Sequence, residues 1–528
     1  MRKKMSLILL SIFILIVASG CQSQELTHKE QDLVRVKSLN GENKKKVVLL
    51  LIDSLMAQAI DKGLAQNELP AIKFLIEHGH YYKDLVSSFP TMSVTIDSSL
   101  FTGTYPDGHR VPGLTWYSTK EKKLINYGTG PMEVIKTGVD TVLVDALVQL
   151  NGSHLNVQAP TIYEDLAQRG MKSGSINGLI YRGTVNHTLS IPPLMQGSLP
   201  KKISVKGPDY LALGTLSDPL KGIQKLPDGL TRRLGLNNQF SIDTANYLIK
   251  ANKLPDFLYV YLPDLDQKIH KNGSTERNGI KEVDRQLQSL LQSFGSPEEA
   301  LNKAIFITVG DSGQTQILPA QDNPIIDLHS FFNDYKVFTQ GEPVTDETEI
   351  VLAVNETMAY VYKLKEGMSL KDIASLLIAD PRIDFISWKE KEWIYVTQGE
   401  TSKELRFKAN GKLIDPYQQK WVVEQDAEVL DLKINAQQHT LHYGKYPDAL
   451  QRLSGALHSH PGEFLVVTAK PGYELADRSS PTHIGGGGHG SLGQAESLIP
   501  LIISGTDQKP QFLRIIDLKS FLIKLLTK

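Results

Sequence analysis

The hydrophobic positions of this chain fall into short continuous runs separated by amphipathic stretches, and several of the runs end at an acidic residue. Residues 47–52 read VVLLLI and stop at Asp53. A run that is apolar on both faces suits a central parallel strand covered by helices. Asp53 is then expected at the carboxyl end of that strand, where open α/β sheets receive their ligands. The pattern recurs at 257–262, FLYVYL leading into PDLDQKIHKNG, and at 304–309, AIFITV leading into GDSGQ. Stretches 69–78, 161–169 and 240–252 carry amphipathic helical spacing, each followed within a few residues by a strand candidate. Alternating helix and strand predict a doubly wound, mostly parallel α/β sheet.

Two stretches break the pattern. Residues 191–236 are rich in Gly, Pro and Leu without period and read as an irregular excursion over the carboxyl edge of the sheet. Residues 349–451 contain a short helical stretch, then strands, then RFKANGKLI with an Asn-Gly turn, which predicts a small α+β insertion. The core is therefore expected as 47–348, resuming at 452–528.

The N-terminus changes the picture most. Arg2, Lys3 and Lys4 precede an apolar run over 5–17, too short to span a bilayer comfortably, and Ala18, Ser19 and Gly20 lead into Cys21. This resembles a bacterial lipoprotein signal, with Ala18 where that pattern usually has Leu. Residues 1–20 are expected to be removed, Cys21 to carry lipid, and polar 21–46 to act as a flexible tether. Cys21 is the only cysteine, which excludes a disulfide within one molecule. The expected location is the outer face of the cell membrane, lipid-anchored. At 528 residues and a net charge of −1, the chain has length for a large core and lacks the basic excess of a nucleic-acid binder. No binding of nucleic-acid duplex is expected.

Candidate chemistry centres on the segment 88–106, SFPTMSVTIDSSLFTGTYP, in which Ser93 falls near a predicted helix N-terminus, a favourable place for an anion. Ser, Thr and Asp also occur at helix starts for local capping alone. Asp53, Asp266 and Asp311 each stand just after a strand-like run, His270 stands four residues after Asp266, and His489 lies in HIGGGGHGSLG. Carboxylates and imidazoles at neighbouring strand ends can converge on divalent cations, which activate a hydroxyl and neutralise charge on a phosphoryl group. Each alone reads as a turn, cap or loop residue; together with a hydroxyl they point to metal-assisted chemistry. Trp116, Tyr117 and Tyr181 are candidates for a pocket wall, although isolated aromatics are more often core.

With these residues in place, the chain from Val47 onward resembles the type I phosphodiesterase and nucleotide pyrophosphatase branch of the alkaline phosphatase superfamily. Asp53 matches the acidic end of that family's first strand, and Pro90, Thr91, Met92 and Ser93 match its P-T-x-[ST] segment. Thr102, Gly103, Pro106 and His109 follow its T-G-x-x-P-x-x-H, Asp266 and His270 its D-x-x-x-H, Asp311 its D-H pair, and Gly487, Gly488, His489 and Gly490 its G-x-H-G. The resemblance implies an alkaline phosphatase-like fold and two divalent metal ions. One, zinc, is held by Asp266, His270 and His489; the other, zinc, manganese or magnesium, by Asp53, Ser93 and Asp311. Ser93 is implied as the nucleophile toward a small-molecule or polymer phosphoester, and His109 is not carried over as a ligand. Where the family has His after the last Asp, this chain has Ser312, which leaves the second site short of a nitrogen; His483 is the one nearby candidate to replace it. A sulfatase is disfavoured, because Ser93, Val94, Thr95, Ile96 and Asp97 lack the Pro and Arg that such enzymes need. The alternatives are a phosphomonoesterase or phosphotransferase acting on envelope polymers, and a non-catalytic surface binding lipoprotein.

Overall fold

A computed structural model describes residues 44–527 apart from 130, 400 and 402. The expected signal peptide, Cys21 and nearly all of the tether lie outside the described residues. Among the described residues, no helix is long and apolar enough to cross a membrane.

The main sheet has seven strands, in the order Gly79–Val86, Leu498–Ser504, Ala304–Gly310, Lys46–Ile52, Phe257–Leu262, Ser173–Ile176 and Tyr210–Ala212. Leu498–Ser504 runs antiparallel to both of its neighbours, and the other pairings are parallel. The continuous apolar run of Lys46–Ile52 follows from its central position. Val48, Leu50 and Ile52 pack into one core with the helices Pro70–Glu77, Asn238–Lys250 and Asn278–Gln292. Val47, Leu49 and Leu51 pack into another with Ser93–Thr102, Ile162–Gln168 and Leu518–Thr527. Each such side chain withdrawn from water contributes roughly 1.5–3 kcal/mol, so both faces of the sheet need their helical cover. The doubly wound α/β expectation holds.

The stretch 349–451 does form a helix and strands, and these belong to a nine-stranded sheet that also takes in Glu463–Ala469, between Met358–Lys363 and Ile383–Glu390. Its strand Met358–Lys363 is buried on both faces: Met358, Tyr360 and Tyr362 enter one core, Ala359 and Val361 another.

Two local expectations are corrected. Asn410 and Gly411 make no hairpin turn; they sit inside the single strand Glu404–Ile414, where the register to Lys420–Gln425 shifts between Ala409 and Leu413. Asn410 has φ +64°, which a bulge needs as much as a turn does. The reversal falls at 415–419 instead, where the Asp415 carboxylate accepts from the Tyr417 and Gln419 backbone N–H groups at 2.9 Å each. Nor is 191–236 wholly irregular. Lys202–Gly207 pairs with Val185–Ser190, and Tyr210–Ala212 forms an edge of the main sheet. Strands this short carry too few alternations to show in sequence.

Candidate active site

Ala304–Gly310, Lys46–Ile52 and Phe257–Leu262 are parallel neighbours, with Ile52 level with Gly310 on one side and Leu262 on the other. The next residues therefore emerge together at the carboxyl edge: Asp311, Asp53 and, in the helix Asp264–Asn272, Asp266. His270, one turn further along, shares the helix face of Asp266, and its Nε2 lies 3.1 Å from Asp266 Oδ1.

Ser93 arrives from the other side of the sheet. After Gly79–Val86 the Ser87 backbone N–H donates to Ser497 O at 2.9 Å, and the Ser87 hydroxyl donates to the Asp311 carbonyl. Ser93 then opens the helix Ser93–Thr102, which has no side-chain cap. Its Oγ donates to Asp311 Oδ2 at 3.0 Å. The positive end of a helix thus faces the carboxylate cluster.

His489 completes the group from the glycine-rich loop, and close approach explains the glycines there. A Cβ on Gly486 would stand 1.9 Å from the His270 carbonyl, and one on Gly487 2.2 Å from Gln314 Oε1. The Asp266, His270 and His489 ligand atoms all lie within 4.8 Å of one another. Nδ1 of His270 is 2.9 Å from Gly487 O, and Nδ1 of His489 is 2.5 Å from Thr91 O. Donation from Nδ1 to these carbonyls assigns the tautomer and leaves each Nε2 for the centre, the usual arrangement behind metal-ligating imidazoles.

The electrostatics point to cations. Asp53 is buried; its Oδ2 accepts from the Tyr261 hydroxyl while its Oδ1 has no hydrogen-bond partner. Burial first, and then the neighbouring Asp311 and Asp266, push its carboxyl well above the usual carboxylate range. Burial also raises Asp311. Burial raises Asp266 too, but His270 and His489 outweigh this and hold it below that range. Burial lowers His270, yet Asp266 and Glu356 hold it up at about 10. Crowded, desolvated carboxylates with an unpartnered oxygen are stabilised by a bound cation, so these residues fit the divalent metals expected of them. Ser312 gives its backbone N–H to Asp311 Oδ1 at 2.6 Å, and its own Oγ is buried without a partner. The Asp53, Ser93 and Asp311 set is thus oxygen-only.

All six expected ligands converge, and the structure adds others. The Ser54 backbone N–H donates to Asp311 Oδ1 and its hydroxyl to Asp266 Oδ1, each at 2.8 Å. Gln314 Nε2 donates to Asp266 Oδ1 at 2.6 Å. Both lie within three residues of a strand-end Asp, a spacing that offered a signal. Glu356 had none, since it stands on a hairpin tip of the second sheet. His483 does not join Asp53, Ser93 and Asp311; its neighbours are Glu474, Glu356 and His270. His109 is structural: Nδ1 accepts from the Val111 backbone N–H at 3.1 Å, Nε2 lies 3.0 Å from Ser99 Oγ, and burial lowers its pKa to about 3. Trp116, Tyr117 and Tyr181 are buried in the cores. The wall of the site is made instead by Leu114, Tyr127 and Leu179, which line a cavity of about 550 Å³ together with Ser93, Asp266 and His489.

A mostly parallel sheet with carboxylates, imidazoles and a helix-start hydroxyl gathered at its carboxyl edge is the architecture of the alkaline phosphatase superfamily. Within it, the chain belongs to the type I phosphodiesterase / nucleotide pyrophosphatase family, whose sequence pattern matches residues 47–492. The family is one of metal-dependent phosphoester hydrolases, and membership places this chain among phosphodiesterase- and pyrophosphatase-type enzymes. Among solved structures, the fold is similar to human ectonucleotide pyrophosphatase / phosphodiesterase 5, at 14% identity and TM-score 0.54 over 91% of this chain and 95% of that one. An inactive murine form of the same protein, in complex with AMP, gives 14% and 0.53 over 92% and 95%. Phosphonoacetate hydrolase from Sinorhizobium meliloti 1021, in complex with phosphonoformate, gives 14% and 0.53 over 92% and 97%. A search of curated proteins by sequence finds no match.

Proposed function

We propose that this chain is an extracytoplasmic metal-dependent hydrolase of phosphodiester or pyrophosphate bonds, with Ser93 as nucleophile. The observation that carries the proposal is the Ser93 Oγ, held 3.0 Å from Asp311 Oδ2 at the mouth of an uncapped helix and inside the cavity. The helix N-terminus draws an anionic phosphoryl group toward the hydroxyl. Asp311 orients that hydroxyl, and is itself fixed by the Ser54 and Ser312 backbone N–H groups. Ser93 then attacks phosphorus, the bond to the leaving alcohol or phosphate breaks, and water later hydrolyses the phosphoseryl ester. Divalent cations held by Asp266, His270 and His489 and by Asp53, Ser93 and Asp311 would lower the pKa of the hydroxyl and neutralise developing charge. Leu114 and Leu179 give the cavity an apolar wall suited to an organic substituent on the phosphate, consistent with the AMP in the murine structure.

The test is turnover of a chromogenic phosphodiester against the matching monoester under defined metals, and faster diester turnover is expected. Preference for the monoester would move the assignment to a phosphomonoesterase. No turnover of either would favour the binding-protein reading, which Ser312 in place of the family's His supports. The location at the extracytoplasmic face of the cell membrane rests on residues 2–21 alone. Mass spectrometry of the native N-terminus is expected to show a lipid-modified Cys21 as first residue; a mature chain starting elsewhere would remove that part of the proposal.

A further inference from the structure

We propose that Glu356 and His483 are additional ligands of the metal centre built on Asp266, His270 and His489, making it a five-residue site for a zinc-like cation. The inference rests on the metal-dependent reading and extends it to residues outside the family's motifs. The distances carry it. Glu356 Oε1 lies 3.9 Å from His270 Nε2 and 3.9 Å from His489 Nε2. Asp266 Oδ1 lies 3.1 and 3.8 Å from the same two nitrogens. Ligands about 2.0–2.1 Å from zinc are roughly 3.3 Å apart in a four-coordinate site and about 2.9–3.6 Å apart in a five-coordinate one, so both carboxylates stand about one ligand edge from both imidazoles. The ligand atoms of His270, Glu356 and His483 also all lie within 4.8 Å of one another.

Both added residues are held in place by independent contacts. Glu356 occupies the tip of the tight hairpin between Ile350–Asn355 and Met358–Lys363, at φ +58°. That conformation favours glycine or asparagine, and a glutamate there is strained with no gain to the turn itself. Its Oε2 accepts from the His489 backbone N–H at 3.0 Å and lies 3.9 Å from His483 Nδ1, which leaves Oε1 toward the His270 and His489 imidazoles. His483 lies with Nδ1 2.7 Å from Oε1 of Glu474, and its backbone N–H donates to Oε2 at 2.7 Å. Glu474 is fully buried. A carboxylate behind one nitrogen of an imidazole orients the other toward a metal; Glu474 is the positioning residue and His483 the ligand. The His483 and His270 ring centroids are 4.2 Å apart. The imidazole missing beside Asp311 thus has a counterpart beside His270, on the loop that buried Glu474 holds.

The experiment measures zinc stoichiometry and affinity by chelator competition, with the visible spectrum of the cobalt-substituted protein as a second readout. Wild type is compared with Glu356→Gln, His483→Ala and Glu474→Gln, each checked for folding by circular dichroism. Glu356→Gln and His483→Ala are expected to weaken zinc binding about 10–100-fold and to alter the cobalt bands. Glu474→Gln is expected to weaken binding less, because the imidazole remains. A wild type that binds zinc, with affinity and cobalt spectrum unchanged in Glu356→Gln and His483→Ala, overturns the inference alone. A wild type that binds no divalent metal overturns the metal-dependent reading with it.

Discussion

Replacing Ser93 by alanine is expected to lower turnover by about 10⁴-fold or more, the scale seen when a nucleophile is removed from a preorganised site, while the protein stays folded. The two effects separate because of where Ser93 sits. It begins a helix without capping it, so helix stability does not depend on its side chain. Its single side-chain hydrogen bond, to Asp311, is worth roughly 1 kcal/mol net, or about 2–4 °C in Tm for a domain of 150–250 residues and less for a larger one. The helix is anchored instead by Val94, Ile96, Leu100 and Phe101 in the core. Thermal denaturation and steady-state kinetics on the same preparation check both halves. Turnover near wild type would mean that another group attacks phosphorus.

Chelation is expected to abolish turnover and to lower Tm, and recovery is expected to depend on which cations are returned. Asp53, Asp311 and Asp266 crowd together at the strand ends, and a cation bound to the folded state alone at 100 times its Kd adds about 2.7 kcal/mol of stability. The two sites differ in chemistry. Asp266, His270 and His489 offer two imidazoles and a carboxylate, a set that suits zinc. Asp53, Ser93 and Asp311 offer only oxygen, which favours manganese or magnesium. Zinc alone is therefore expected to restore activity poorly, and zinc with manganese or magnesium to restore it better. Ser312→His should shift the preference toward zinc at both positions. Ser312 is fully buried, so the larger ring will cost roughly 1–3 kcal/mol in packing, and metal preference is the quantity to read. Full activity with two zinc ions per unmodified chain would show that the oxygen-only set does not set the preference.

Much of this was legible from local pattern. The run at 47–52 is apolar on both faces because helices cover both, and that pattern survives in one dimension. So does the position of Asp53, Asp266 and Asp311 after their strands, since a strand's end is a local event. His270 follows from helical periodicity, and Ser93 from the signals of a helix start. What the sequence could not state is which distant groups meet. Glu356 belongs to a hairpin 90 residues beyond Asp266, in a sheet whose pairing takes in Glu463–Ala469. Nothing beside it in the chain marks it as different from any surface glutamate. The Asn410-Gly411 pair shows the same division: the need for positive φ is local, but turn and bulge meet it equally well, and pairing with Lys420–Gln425 chose the bulge. His483 was visible as an imidazole near the glycine run, yet its neighbours were set by the buried Glu474 and by the hairpin carrying Glu356. The sequence by itself determined the long central strands, their acidic ends and the serine at the helix start, because each is fixed by contacts along a few consecutive residues. The tertiary structure decided the membership of the site, because only the packing of the hairpin carrying Glu356, and of the loop carrying His483 on buried Glu474, against the carboxyl edge of the main sheet brings these groups beside Asp266, His270 and His489.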